Sequence, residues 1–364
     1  MSTVTDFPSS ASEVELDWLD TKIREADGAR SKLRSFRWEP IGTGQMGTNV
    51  RFYLDYAASR GCGPKTLIGK FPSFDEASQQ TAATFDVYTK EVRFYRELSP
   101  LLDVRVPRSY AAEVDAAGSR FILLLEDLAP ARVGDQLAGC TLDEARLAIC
   151  QAAAFHAQTR DNPAILNSSW IYRKPEAIQQ LKTAYSHAQS VFRDRYQGIL
   201  DSNLMVIAES FAEHAALWFE RKPNLPGLTH GDFRLDNMLF EIKNGAEPIA
   251  IVDWAGLDLD SGLTDVGYFL GCGVGSRLRR KHEVELLELY CSEMSKRGAE
   301  LTVADIWDDY RLGALNGLAT AVFSTAFVQR TERGDENFLS MAKGAAQLAQ
   351  DHGSVGALIE LTGS

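Results

Sequence analysis

The 364-residue chain is short of cysteine, short of basic charge and without any long apolar run. Its five cysteines (Cys62, Cys140, Cys150, Cys272 and Cys291) are odd in number, scattered, and never spaced Cys-x-x-Cys. That argues against a disulfide or zinc framework and for reduced thiols in a cytoplasm. No stretch approaches the roughly 20 apolar residues of a membrane span; the longest, such as Phe121–Leu125, are strand-sized. Met1–Asp6 carries neither the basic nor the apolar region of a signal peptide, so a cytoplasmic location with no membrane partner is the expectation. Lys and Arg total 38 against 50 Asp and Glu, a net charge of -12, with the acids dispersed. A phosphate backbone demands a basic face, so no nucleic-acid partner is expected. Repeats and low-complexity segments are missing too.

What is present is ordinary for a soluble globular protein, with 45% hydrophobic and 24% charged residues. The length exceeds what one core usually organises, so two lobes are expected. Residues 1–38 are polar and helix-leaning, and Val14–Leu19 suggests a short amphipathic helix packed on the body. Val50–Leu54 and Lys65–Phe71 read as strands. Ala77–Leu98 reads as one helix, with Phe85, Tyr88, Val92, Tyr95 and Leu98 at three- and four-residue spacing and Pro100 beyond its end. Tyr110–Val114 and Arg120–Leu125 read as strands joined by a turn. Beyond Pro130 the pattern becomes helical. Thr141–Glu144 is a capping box opening a helix through Gln158. Met205–Phe219, Lys281–Arg297, Thr302–Arg330 and Asn337–Ile359 follow as helices. The class is therefore α+β, with a small mixed lobe over residues 1–126 and a larger, mainly helical lobe over 127–364.

The chemistry concentrates in Thr229–Phe240 (Thr-His-Gly-Asp-Phe-Arg-Leu-Asp-Asn-Met-Leu-Phe) and in Ile251-Val252-Asp253-Trp254. Asp232 and Asn237 stand five positions apart on a polar loop that enters an apolar strand. Asp253 closes a second strand, Pro248–Val252, across the turn Lys243–Glu247. A carboxylate free of metal, with an amide and a second carboxylate able to hold Mg²⁺, is what phosphoryl transfer to a hydroxyl requires. Asp-x-x-x-x-Asn repeats the base-to-metal-ligand offset of the protein-kinase catalytic loop. His-Gly-Asp in place of His-Arg-Asp, Asp-Trp-Ala in place of Asp-Phe-Gly, and no Ala-Pro-Glu argue against a protein kinase.

The segment resembles the motif of the aminoglycoside phosphotransferase and choline kinase superfamily, and His-Gly-Asp-Phe-Arg-Leu-Asp-Asn resembles its ecdysteroid-kinase-like branch. The resemblance implies a protein-kinase-like bilobal fold, Asp232 as the catalytic base and Asn237 and Asp253 as Mg²⁺ ligands. It implies ATP or GTP as donor and a small-molecule hydroxyl as acceptor, enclosed by a helical insertion at about 162–222 and by the C-terminal helices. Glu126 and Leu128, on the segment crossing between lobes, would contact the nucleotide. A monomer or weak homodimer is expected. The rival reading is a catalytically inactive nucleotide-binding scaffold, whose usual mark, a missing base, lysine or metal ligand, this chain does not show.

Gly42-Thr43-Gly44-Gln45-Met46-Gly47 is a Gly-x-Gly-x-x-Gly string. A dinucleotide fold would need a following helix and an acidic residue about 20 positions on, where Gly61-Cys62-Gly63 offers none. A strand–turn–strand flap over phosphates fits better, because Gly42, Gly44 and Gly47 let backbone amides approach the oxygens. Lys70 is the expected phosphate partner, with Lys65 as competitor, and Glu91 rather than Glu97 is expected to hold it. His156 reads as a packed core histidine and His230 as a group orienting the loop. Asp265 reads as a support for that loop, and Arg234 as an ion-pair or phosphate partner. Asp258 and Asp260 read as an exposed acidic turn or an acceptor mouth, and Arg277–Lys281 as a solvated helix start.

Overall fold

Burial alternates residue by residue along Thr66–Pro72, as a strand with two different faces requires. Leu67, Gly69 and Phe71 point to one side and Ile68 and Lys70 to the other. The structure, a computed structural model, describes residues 7–42, 47–58 and 60–362. These fall into two compact units, Met1–Pro130 with Asp253–Gly256, and Ala131–Val252 with Leu257–Ser364.

The first unit is a five-stranded antiparallel sheet in the order β1-β2-β3-β5-β4. Its strands are β1 (Leu33–Pro40), β2 (Gly47–Tyr56), β3 (Thr66–Pro72), β4 (Ser109–Val114) and β5 (Phe121–Glu126). Leu67 and Phe71 share an apolar core with Val50, Phe52, Ile122 and Leu124 and with Leu19 and Ile23 of α1 (Leu16–Asp27). Asp20 fastens α1 by accepting the Leu33 amide at 2.7 Å. The expected single helix over Ala77–Leu98 is instead broken into α2 (Glu76–Thr84) and α3 (Val87–Arg93), with a wide-turned continuation over Phe94–Leu98. Asp86 makes the break by adopting φ 54°, a left-handed conformation that Asp tolerates better than most residues.

In the second unit α4 (Leu142–Thr159) starts at the expected box, with Thr141 and Glu144 capping each other. The short α5 (Pro163–Leu166), then α6 (Pro175–Tyr196) and α7 (Ser202–Glu220), follow. β6 (Arg132–Val133), β8 (Met238–Glu241) and β9 (Glu247–Ile251) form a three-stranded sheet. Between β8 and β9 the one-turn α8 (Ile242–Gly245) is wound left-handed at Lys243 and Asn244. β7 (Pro226–Thr229) pairs antiparallel with β10 (Asp258–Ser261). The chain ends in α9 (Gly262–Cys272), α10 (Ser276–Ser295), α11 (Val303–Phe327), α12 (Glu332–His352) and α13 (Ser354–Thr362). The helix expected over Asn337–Ile359 is thus two, because Gly353 closes α12 in the left-handed conformation at φ 61°.

Every residue of α9 is buried, and glycines admit its neighbours. A Cβ on Gly313 of α11 would lie 2.2 Å from the Leu263 carbonyl oxygen, and one on Gly344 of α12 would lie 2.1 Å from that of Gly271. Both obstacles are backbone, which a rotamer change cannot relieve. Gly313→Ala is therefore expected to destabilise the protein by about 1–3 kcal/mol, read as a lower urea midpoint with unchanged slope.

Candidate active site

Lys70 leaves the centre of the sheet on the face opposite the apolar core. Its Nζ lies 2.8 Å from Glu91 of α3 and 3.0 Å from Asp253 Oδ1. Lys65 is exposed, and Glu97 is engaged by Arg93 and Arg96. Asp253 is brought to Lys70 by its neighbour: the fully buried Trp254 ring stacks on Phe94 with centroids 3.9 Å apart and planes 8° from parallel. Asp253 itself sits at φ 64°, an unfavourable conformation for a residue with a Cβ, held by that packing. Burial works to lower the Lys70 ammonium, but Asp253 and Glu91 outweigh it and hold it above its usual range. Burial pushes the Glu91 carboxyl up to about 7, against the pull of Lys70. The lysine is a fixed cation with one carboxylate behind it and a second, half-exposed one beside it.

Gly42 and Gly47 are the described residues on either side of positions 43–46, and Gly44 lies outside the described residues. β1 and β2 pair antiparallel, Pro40 opposite Val50, which is strand–turn–strand and not strand–turn–helix. Gly47 is tight against β3, since a Cβ there would lie 2.9 Å from the Phe71 carbonyl oxygen. Glu126 ends β5 with its carboxylate 3.0 and 3.1 Å from the Arg105 guanidinium, and Leu128 is buried.

In the second unit Asp232 and Asn237 meet on the loop between β7 and β8. The Asn237 amide nitrogen donates to Asp232 Oδ2 and to the Asp232 carbonyl, both at 2.9 Å. Two acceptors on one side fix which way the amide points, leaving its oxygen as the atom available to a cation. Asp232 Oδ2 also accepts Arg234 Nε at 3.0 Å, and Oδ1 accepts the Tyr268 hydroxyl at 2.9 Å. Burial acts to raise the Asp232 carboxyl, but Arg234, His230 and the Tyr268 hydroxyl overcome it and hold it below its ordinary range. Its side chain is still 32% exposed, enough to be reached.

The loop backbone is held by Asp265. This fully buried carboxylate accepts the amides of His230 at 2.6 Å and Gly231 at 3.0 Å, and lies 3.3 Å from His156 Nε2. His230 Nδ1 accepts the Asp232 amide at 3.2 Å, which leaves its Nε2 to donate to the Val252 carbonyl at 3.0 Å. On the far side, buried Gln136 accepts the Leu235 amide at 3.2 Å, and Asp236 takes the Gln136 amide at 3.1 Å.

A family model describing ecdysteroid kinase-like proteins matches residues 44–303, well over half of the chain. The chain belongs to the ecdysteroid kinase-like family. It is a kinase-like small-molecule phosphotransferase, and no curated protein sequence matches it. Among solved structures, a Ralstonia eutropha protein named as an aminoglycoside phosphotransferase is 17% identical over 93% of this chain and 98% of its own, with a TM-score of 0.53. Aminoglycoside 2'-phosphotransferase-IIIa in its GDP complex gives 16%, 92%, 99% and 0.52. Choline kinase from Cryptosporidium parvum Iowa II gives 10%, 90%, 94% and 0.52. At those identities the likeness establishes the fold, which is the expected protein-kinase-like α+β class.

Three features of this ecdysteroid kinase-like chain differ from their sequence reading. Asp258 and Asp260 are not an exposed turn: they lie on β10, paired with Arg173 and Arg221 at 2.6 Å each. Arg279, in the basic run taken for a solvated helix start, is buried and bridges Glu283 at 2.9 Å and Asp351. Tyr268, which the sequence reading does not single out, reaches Asp232. Its signal was the three-residue offset from Asp265, which puts both on one helix face. Asp265→Ala would strand two buried backbone amides and His156. A loss of about 3 kcal/mol is expected, with Asp265→Asn, which keeps one acceptor, losing less in the same urea melt.

Proposed function

We propose that the chain transfers the γ-phosphoryl group of ATP or GTP to a hydroxyl of a small acceptor, with Asp232 as base. The observation that carries this reading is the Asp232–Asn237 pair. The amide's donors are spent on the aspartate, so one side chain is left as a metal-free base and the other as an oxygen ligand. Asp232 orients the acceptor hydroxyl and takes its proton as the oxygen attacks phosphorus. Lys70, backed by Glu91, positions the α- and β-phosphates, and backbone amides at Gly42, Gly44 and Gly47 cover them. Glu126 and Leu128 border the nucleotide.

Among the described residues no group of three or more His, Cys, Asp or Glu is arranged to hold a metal. Mg²⁺ does not require such a group, because it is commonly held by one or two protein oxygens with substrate phosphates completing its shell. Asn237 and Asp253 would hold it. When bound, Mg²⁺ supplies charge neutralisation on the phosphate oxygens. Little covalent chemistry falls to the protein, so positioning and charge account for most of the acceleration.

The acceptor we infer is not a polycation. Asp258 and Asp260, the next two acids after Asp253 in the chain, are already paired with Arg173 and Arg221. An uncharged alcohol suits such a site better.

The test is a mass-spectrometric screen in which protein and Mg·ATP are incubated with pooled alcohols, sugars, aminoglycosides and sterols. One compound gaining a phosphate with the wild type and not with Asp232→Asn supports the reading; a product formed equally by both refutes it. Asp232→Asn is expected to keep Mg·ATP binding and lose about 10²–10⁴ in turnover. Asp253→Ala is expected instead to abolish magnesium-dependent nucleotide binding. In thermal melts, Mg·ATP at 100 times its Kd should stabilise the wild type by about 2.7 kcal/mol and leave Asp253→Ala unmoved.

A further inference from the structure

Asp232 receives its hydrogen bonds unevenly. Oδ2 takes two donors, Arg234 Nε at 3.0 Å and Asn237 Nδ2 at 2.9 Å, while Oδ1 takes the Tyr268 hydroxyl at 2.9 Å. A carboxylate oxygen has two lone-pair directions, so Oδ2 is filled and Oδ1 keeps one. We propose that Tyr268 is a positioning residue for phosphoryl transfer, whose hydroxyl holds the Asp232 carboxylate so that Oδ1 is the oxygen presented to the acceptor.

The terminal torsion of an aspartate is broad and roughly two-fold, so donors on one oxygen alone leave the plane of the group soft. A second donor on the other oxygen, from a different element, fixes that plane. Tyr268 suits this task because it cannot move. Its ring is fully buried in α9, and Gly317 of α11 lies so close that a Cβ there would be 3.1 Å from Tyr268 Cδ2. Asp265, three residues earlier on α9, holds the His230 and Gly231 amides. One rigid helix therefore grips the loop twice, by its backbone through Asp265 and by its reacting side chain through Tyr268. In the reaction the acceptor O–H proton passes to Oδ1 as the new O–P bond forms. The bond from γ-phosphorus to the bridging oxygen breaks, and its electron pair leaves on the nucleoside diphosphate. Tyr268 keeps its own proton throughout.

This inference rests on Asp232 being the base, and its test separates the two claims. Mg·ATP hydrolysis, with water in place of the acceptor, is measured for wild type, Tyr268→Phe and Tyr310→Phe. Both substitutions remove one buried hydroxyl and keep the ring; the Tyr310 hydroxyl bonds Glu283 at 2.5 Å and lies outside the proposed machinery. Tyr268→Phe is expected to lower kcat about 10- to 100-fold with KM for ATP unchanged, as misorientation of a catalytic group does. Tyr310→Phe is expected to lower Tm and leave kcat alone. An unchanged kcat in Tyr268→Phe, a parallel rise in KM, or an equal kcat loss in Tyr310→Phe overturns the positioning role. Magnesium-dependent ATP turnover as fast in Asp232→Asn, measured alongside, as in the wild type overturns the Asp232 reading instead.

Discussion

The Asp265 carboxylate is the constraint on which the candidate catalytic loop depends. A buried carboxylate is costly unless its lone pairs are used, and Asp265 uses them on two consecutive backbone amides and on His156. Consecutive amides aimed at one group fix the backbone dihedrals of His230 and Gly231. The rest follows from that turn: His230 is placed to take the Asp232 amide, and its other nitrogen to meet Val252. Asp265 is in turn immobile because α9 is buried on every side, with α11 and α12 admitted by glycines. Side-chain precision at Asp232 is thus derived from helix packing, several residues away from any chemistry.

Much of this was legible in the sequence, and the exceptions share a cause. Asp232, Asn237, Asp253, Lys70 and Glu91 stand out because their spacing is dictated by local geometry: a loop before a strand, a residue after a strand, a position on a helix face. The β1–β2 pairing could be read from the glycines and the absence of a following helix. The two helix breaks were missed because Asp86 and Gly353 interrupt patterns whose apolar period continues across them. Arg279 and the Asp258–Asp260 pair were misread for a different reason. Apart from Glu283, one turn after Arg279, their partners, Asp351, Arg173 and Arg221, lie far away in sequence, and no local rule pairs charges across such separations. Tyr268 belongs to the same group: an apolar run shows that a helix is buried, not which hydroxyl inside it finds a carboxylate.

Charge is used economically around the loop. Arg234 bonds Asp232 and Asp236, each at 3.0 Å, so one guanidinium steadies two carboxylates that flank the turn. Asp236 also accepts from Asn337 at 3.3 Å, tying the loop to α12. The acidic excess of the whole chain is therefore a poor guide to the local field at Asp232, where a cation and a phenol meet the anion. The overall charge speaks to solubility and partners; the local donors speak to reactivity.

The route from Asp253 to α9 bears on how such a site is controlled. In a protein kinase an activation loop intervenes, and ordering it is the switch. Here Trp254–Gly256 forms a single turn whose indole is stacked and buried, Asp258–Ser261 is a strand paired with β7, and Ser261 caps α9 by accepting the Leu263 amide at 3.3 Å. That stretch is taken up by a turn, a strand and a helix cap, with no length for an activation loop. The strained φ of Asp253 fits the same picture, since a left-handed aspartate persists only where packing over-determines it. Preorganisation is the consequence within each unit: folding sets Asp253 and Glu91 against Lys70 in one, and Asp232 against Asn237 in the other.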